Sequence, residues 1–263
     1  VEHAPHFLIP LFMRCSPSNF THYIHRRVRN HLAKVFSTVA LNLNIEGKEG
    51  PQTTVMSCFV ALLQDQESDV RASAVTHLAK MVHWGGAALF TQKLQALLPA
   101  LADDVVVDVR SKCALALMDS SEGGTLDDAT IVKAFTPLLE NFLQDEYPEV
   151  QLHVLGNLNR ISHLLTQMNG VVSSILSMSK AINWRVRRGV ATLMPYLAEA
   201  RGMDFFSSVL LEPAWLALLW DNVAEVRGAC ISGTWNSCLT FWWPVQFVLL
   251  FCRVLNFLWH LGL

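Results

Sequence analysis

The sequence has few charged residues and no excess of either sign. Asp, Glu, Lys and Arg make up 16% of the 263 residues, and the net charge is −2. A protein that binds nucleic acid through the phosphates needs a basic face, which this balance does not supply. We therefore expect no nucleic acid among the partners.

Paired cysteines are also missing. The six cysteines stand singly, with no Cys-x-x-Cys pair: Cys15, Cys58, Cys113, Cys230, Cys238 and Cys252. This pattern predicts neither a disulfide framework nor a zinc site. The chain begins with Val and shows no basic-then-apolar leader, so no signal peptide is expected. Reduced thiols in a cytosolic or nuclear protein are the expectation.

No stretch of the sequence predicts catalysis. There is no Gly-rich phosphate loop and no linear Ser, His and Asp triad signal. Ser177 and Lys180 match Ser-x-x-Lys, but that short pattern lies in a predicted repeat helix. Five histidines lie near Cys15 without the spacing of established zinc ligands, which favours surface histidines: His3, His6, His22, His25 and His31. We expect no enzyme activity, no cofactor and no metal.

What the sequence does contain is a period near 40 residues. A Val followed by Arg or Gln recurs at separations of 42, 39, 41, 36 and 40 residues: Val28-Arg29, Val70-Arg71, Val109-Arg110, Val150-Gln151, Val186-Arg187 and Val226-Arg227. An Asp recurs five residues before most of these Val positions, and Tyr23 and Ala181 take its place in the first and fifth copies. Such regular spacing is typical of stacked helical repeats.

The apolar pattern predicts two helices in each repeat. We therefore predict an all-α solenoid of about six antiparallel helix pairs, stacked in a curved right-handed superhelix over 1–235. The units are placed at 1–41, 53–84, 88–118, 129–166, 170–201 and 203–235. Prolines in or near the first helices (Pro99, Pro137 and Pro213) predict bent first helices beside straight second helices. In the first unit, Val28 and Phe36 are expected on one buried face.

The arginine after each Val needs a partner from outside its own helix. A cation at a helix N-terminus is locally unfavourable, whereas the acid before the Val is favourable there. The recurring Asp of a neighbouring turn is the available partner, so we predict a ladder of charge-assisted hydrogen bonds along the stack. Its members are Asp65, Arg71, Asp104, Arg110, Asp145, Arg187, Asp221 and Arg227.

Four stretches carry a more specific pattern than the repeat alone, including the sequence Asn183-Trp184-Arg185: 142–158, 183–198, 202–206 and 215–227. In content and in order they resemble the HEAT-repeat scaffold (A) subunits of protein phosphatase 2A, and the resemblance covers roughly residues 20–230. It implies a non-catalytic scaffold that holds the phosphatase catalytic subunit and a regulatory (B-type) subunit on its inner ridge of turns. A hetero-oligomer in the cytoplasm, and also in the nucleus, would follow.

The resemblance also implies which turns bind. Trp184 and Arg185 are similar to the turn by which the family grips the catalytic subunit, and Asn222, Val223 and Ala224 are similar to a second contact. The first copy has Arg26-Arg27 where the family has Trp-Arg, which leaves a weaker contact to the regulatory subunit. Four other copies have an acidic residue directly before the recurring Val, whereas the fifth copy has Arg185 there. A residue that departs from such a local preference is a candidate for function.

The last residues, 236–263, depart from the repeat pattern because they are nearly all apolar. The uncharged run from Leu239 to Cys252 is shorter than the roughly 20 residues of a spanning helix. A membrane anchor, a buried capping helix and sequence foreign to the fold remain open, and the last is favoured. Two other functions also remain open: a karyopherin-like or other HEAT-repeat adaptor, and an adaptor tethered to a membrane through this tail.

Overall fold

The chain forms helices joined by turns, and the described residues contain no strand. The computed structural model describes residues 26–43, 45, 47, 49–202, 205 and 214–240. Its α-helices are α1 (Arg26–Asn42), α2 (Glu49–Leu63), α3 (Ser68–Val75), α4 (Leu78–Leu89), α5 (Leu98–Ala102), α6 (Val107–Ser120), α7 (Asp128–Leu143), α8 (Pro148–Leu155), α9 (Asn169–Met178), α10 (Trp184–Arg201), α11 (Leu216–Leu219) and α12 (Ala224–Thr240). A π-helical turn at Phe90–Leu94 and 3₁₀ segments at Gln95–Leu97 and Leu158–Thr166 complete the list.

The helices stack in sequence order. Each second helix packs on that of the next unit, in the order α1, α3, α6, α8, α10 and α12. The first helices do the same where α5 meets α7 and α7 meets α9. A stack in which each unit buries its apolar face against its neighbours is a solenoid, and the prediction of an all-α repeat solenoid is confirmed.

One continuous apolar core runs through the stack, from Ala33 to Cys230. The recurring Val is buried in units two to six, as Val70, Val109, Val150, Val186 and Val226. Two aromatic pairs join neighbouring units. Phe36 lies 5.3 Å from Phe59 and Phe90 lies 6.4 Å from Phe135, measured between ring centroids. Neighbouring units therefore stabilise one another through shared side-chain packing.

The predicted buried face of the first unit is correct for Phe36 and wrong for Val28. Val28 is 56% exposed, while Arg29, Ala33, Phe36, Ser37 and Ala40 are buried. The reason is that α1 packs on α3 of the next unit, and the residues facing α3 include the arginine of the ladder. A small-residue face with a buried ion pair does not stand out as an apolar stripe.

The expectation of straight second helices is wrong for units two and four. The second helix of unit two is divided between α3 and α4 at Thr76 and His77, and that of unit four is divided between α8 and its 3₁₀ segment. The first helix of unit three is divided next to a proline, since α5 begins at Leu98 with Pro99 in its first turn. Pro137, by contrast, lies inside the undivided α7, and Pro195 lies inside the second helix α10.

The apolar tail is described only as far as residue 240, within α12; the rest of 236–263 lies outside the described residues. Among the described residues, no helix is long and apolar enough to cross a membrane.

The break between α3 and α4 places a histidine against the first unit. His77 Nδ1 lies 2.8 Å from Ser37 Oγ on α1. Burial lowers the pKa of His77, partly offset by its hydrogen bond to the Lys34 backbone, and the nearby Lys80 charge lowers the pKa further. The ring is therefore neutral in the folded protein at neutral pH.

We predict a pH-dependent junction between units one and two. Because the folded pKa lies below the ordinary value of about 6.5, the unfolded chain binds more protons, and stability falls as the pH drops below that value. His77→Gln should reduce the loss of stability between pH 7.5 and 5 in urea unfolding. An unchanged pH dependence would contradict the assignment to His77.

Candidate protein-binding ridge

The turns between the first and second helices of the units form one surface, which we call the turn ridge. It comprises residues 64–69, 103–108, 144–149, 180–185 and 220–225. Each turn holds the recurring Asp position and leads into the helix that carries the Val-Arg pair. The geometry of this ridge is set by two sets of hydrogen bonds.

The first set joins each turn to the next. The guanidinium of Arg71 donates to both carboxylate oxygens of Asp104, at 2.6 and 2.9 Å. Arg110 donates in the same way to Asp145, at 2.6 and 3.0 Å, and Arg187 to Asp221, at 2.5 and 2.9 Å. We call each of these Arg–Asp pairs between neighbouring turns a rung of the ladder, and the three rungs are largely buried. Bidentate pairs of this kind fix the relative position of two groups as well as stabilising them.

The second set closes each turn on itself. Arg71 Nη1 also donates to the carbonyl oxygen of Asp65, 2.8 Å away, and the Asp65 carboxylate accepts the N–H of Glu67 at 2.9 Å. The arginine therefore donates hydrogen bonds to carbonyl oxygens of its own turn that the helices leave without a partner. This contact was not expected from the sequence, where the arginine was explained by an outside partner alone.

The rungs hold their charges at neutral pH. Burial of Asp104 raises its pKa, but the hydrogen bonds from Arg71 and the Val106 N–H outweigh this effect, so the pKa lies below its usual range. The hydrogen bond from Arg187 likewise lowers the pKa of Asp221. The rungs at Asp104 and Asp221 are thus ion pairs and not neutral contacts.

The first and last members of the ladder differ from those that the sequence predicts. Arg29, which the prediction omitted, donates to both oxygens of Asp65 at 2.6 and 2.9 Å. Arg227 donates to the carbonyl of Asp221, 2.7 Å away, within its own turn. The Val28-Arg29 repeat was the available signal for the first rung.

One rung is absent between units four and five, and both of its members are changed. Gln151 occupies the arginine position and Ala181 the aspartate position. Gln151 keeps the contact within its turn, donating to the carbonyl of Asp145 at 2.7 Å. In unit five the turn is closed by Asn183, which accepts the N–H of Arg185 at 3.0 Å. The paired change leaves no unpaired buried charge.

Large exposed apolar side chains collect on the ridge. Val105 is 92% exposed, Ile182 is fully exposed, and Val106, Tyr147 and Trp220 are partly exposed. Scattered exposed apolar residues are ordinary, whereas a group on one surface indicates a protein-interaction site. These residues were not predicted from the sequence, because an apolar residue within a helical repeat is ordinarily assigned to the hydrophobic core.

The predicted catalytic-subunit contacts lie on two ridge turns joined by a rung. Trp184 is half-buried and packs against the core, and the exposed Arg185 lies over its ring, 4.8 Å from the centroid. In the next turn Asn222 and Ala224 are exposed and Val223 is half-buried. The rung between Arg187 and Asp221 holds the two turns side by side.

The first-unit arginines differ from each other. Arg26 donates to Asp69 at 3.1 Å and lies 3.5 Å from Glu67, so it contributes to the junction with unit two. Arg27 is exposed beside it. With Asn30 and Asp69 they line an open cleft of about 530 Å³.

The described residues hold no group of three His, Cys, Asp or Glu side chains placed to bind a metal. His31 is the only one of the five N-terminal histidines among them. Cys58, Cys113 and Cys230 are buried, and burial raises the pKa of Cys113 and of Cys230 to about 12. Ser177 Oγ donates to the Ser174 carbonyl, 2.7 Å away.

Solved structures similar to this chain are armadillo and HEAT-type solenoids. They include a designed armadillo repeat protein (16% identity, TM-score 0.58, 88% of this chain and 99% of that one), a chain of the Pds5–Scc1 complex (15%, 0.55, 86% and 32%) and a chain of the Kap95p–RanGDP complex (18%, 0.59, 85% and 29%). The chain spans less than a third of these two natural proteins. No family model and no curated protein matches it. These similarities show the fold alone.

We predict that the missing rung can be rebuilt. Gln151→Arg and Ala181→Asp should each destabilise the protein alone, since each buries a charge without its partner. Together they should show a favourable coupling of about 0.5–3 kcal/mol in a double-mutant cycle. Urea unfolding of the four proteins measures the coupling, and a value of zero would show that the turns of units four and five do not face each other as the other turns do.

Proposed function

We propose that this chain is a non-catalytic scaffold that holds the catalytic subunit of a serine/threonine phosphatase. The observation that carries the proposal is the pair of joined turns at 180–185 and 220–225. They expose Ile182, Arg185 and Trp220 on a framework fixed by the Arg187–Asp221 rung. Trp and Arg are the residues most often found at interface hot spots.

The rim of this surface is basic. Lys180, Arg185 and Arg188 are exposed around Ile182 and Trp184. Arg185 breaks the local rule of an acid before the Val, which is unfavourable for the helix by about 0.3–1 kcal/mol. A partner with an acidic rim and an apolar centre would compensate for this arrangement. The resemblance to phosphatase 2A scaffold subunits supports the catalytic subunit as that partner.

We also propose that a regulatory subunit binds further towards the N-terminus, and that the resulting hetero-oligomer is located in the cytoplasm and the nucleus. Arg27 and the cleft beside it are the candidate contact. Because Arg26 bonds to Asp69, Arg26→Ala would disturb the stack as well as the surface. Arg27→Ala, at a side chain exposed beside the cleft, is the variant that tests this contact.

A karyopherin-like adaptor is the alternative function. The fold similarity to a chain of the Kap95p–RanGDP complex favours it no more than any other solenoid function. Binding of a Ran-type GTPase in place of the phosphatase subunit would support it.

We predict that Trp184→Ala combined with Arg185→Ala weakens binding of the phosphatase catalytic subunit at least about tenfold, because it removes the central contacts of the surface. The measurement is a titration of the immobilised chain with the catalytic subunit.

Val105→Gln is the matched control, since it changes an exposed apolar residue of another ridge turn. It should leave this binding unchanged. Wild-type binding by the double variant would refute the site, and no binding by the unaltered chain would refute the proposed partner.

A further inference from the structure

The turns of units three and four expose apolar side chains away from the proposed phosphatase surface. Val105 is 92% exposed, Val106 36% and Tyr147 44%. Val105 and Val106 lie in the 103–108 turn, and Tyr147 lies in the 144–149 turn. We call these three residues and the acids around them the acidic ridge.

The fold does not require apolar residues here. At the position of Val105, directly after the recurring Asp, unit two has Gln66, unit four has Glu146 and unit six has Asn222. At the next position, unit two has Glu67 and unit five has Asn183. Since polar residues occupy the same turn positions elsewhere in this chain, the apolar side chains of Val105, Val106 and Tyr147 are not needed to close the turn.

The acidic ridge is held in one conformation. Arg110 spans its two turns, donating to the Asp104 carbonyl at 2.8 Å and to the Asp145 carboxylate at 2.6 Å. The same guanidinium lies 5.4 Å from the ring centroid of Tyr147. Asp104 accepts the N–H of Val106 at 2.9 Å. A surface that is already ordered loses little conformational entropy on binding.

The charges around these residues are negative. Asp103, Asp108, Glu146 and Glu149 are exposed in the two turns, which contain no basic residue. Of these four, Asp108 is paired with Lys112, 2.7 Å away. Asp104 and Asp145 are neutralised by their rungs. The acidic ridge therefore carries unbalanced negative charge, in contrast to the basic rim of unit five.

We propose that the acidic ridge binds an extended, basic segment of a partner protein, with apolar side chains that cover Val105 and Tyr147. Charge complementarity excludes nucleic acid and favours lysine or arginine. Packed helices lie about 8–10 Å apart. A segment in the extended polyproline II conformation has about three residues per turn and rises about 3.1 Å per residue, so residues at every third position lie on one face about 9 Å apart. Apolar residues at every third position of the segment would therefore meet successive turns.

The test uses a fluorescent peptide with leucine at every third position and arginine between, titrated with the full chain and followed by anisotropy. Binding should saturate and weaken as ionic strength rises. Val105→Gln with Tyr147→Gln should raise the Kd about tenfold, and Glu146→Gln with Glu149→Gln should weaken binding and reduce its salt dependence.

The controls separate this surface from the proposed phosphatase site. Trp184→Ala with Arg185→Ala should leave peptide binding unchanged, and a peptide with glutamate in place of arginine should not bind. Val105→Gln introduces the residue that unit two has at the same turn position, Gln66, so circular dichroism should show an intact fold. Absence of saturable binding, equal affinity for the glutamate peptide, or unchanged affinity of both ridge variants would each overturn the proposal.

Discussion

The bidentate bond from the arginine of one turn to the aspartate of the next is the constraint on which the ridge depends. Apolar packing between helices tolerates small shifts of one helix along another, because it is not directional. A buried guanidinium between two carboxylate oxygens does not tolerate them. The rungs Arg29–Asp65, Arg71–Asp104, Arg110–Asp145 and Arg187–Asp221 therefore set the register of the units and bring their turns to one surface.

The sequence predicts the parts of this structure that repeat. A common period of the Asp and Val-Arg positions places each arginine near the following turn, and the buried Val positions follow from the same alignment. It does not predict what varies between copies. The exposure of Val28, the division of the second helix at His77 and the exposure of Ile182 depend on the neighbouring unit, which a pattern within one helix does not describe. The use of the ridge turns for binding remains a prediction.

The junction of units four and five shows how the constraint is replaced when a rung is lost. Gln151 and Ala181 remove both charges together, so the junction has no uncompensated ion. The helices α8 and α10 approach closely there, since a Cβ on Gly189 would lie 3.2–3.3 Å from Leu155 side-chain atoms. Close packing at a small residue substitutes for the ion pair. The same junction separates the acidic turns of units three and four from the basic turn of unit five, which contains Lys180 and Arg185.

Under the two proposals above, the turns of units three and four and the turn of unit five would bind different partners without competing. An acidic partner is attracted to Arg185 and Lys180 and repelled by Glu146 and Glu149, and a basic partner experiences the opposite forces. Like charges that face each other at an interface cost several kcal/mol, which exceeds the roughly 1.4 kcal/mol of a tenfold preference. Apolar contacts alone would not separate the partners, since Val105 and Ile182 present similar aliphatic surfaces. Under these proposals, the charged residues around Val105 and Ile182 would determine which partner each turn accepts.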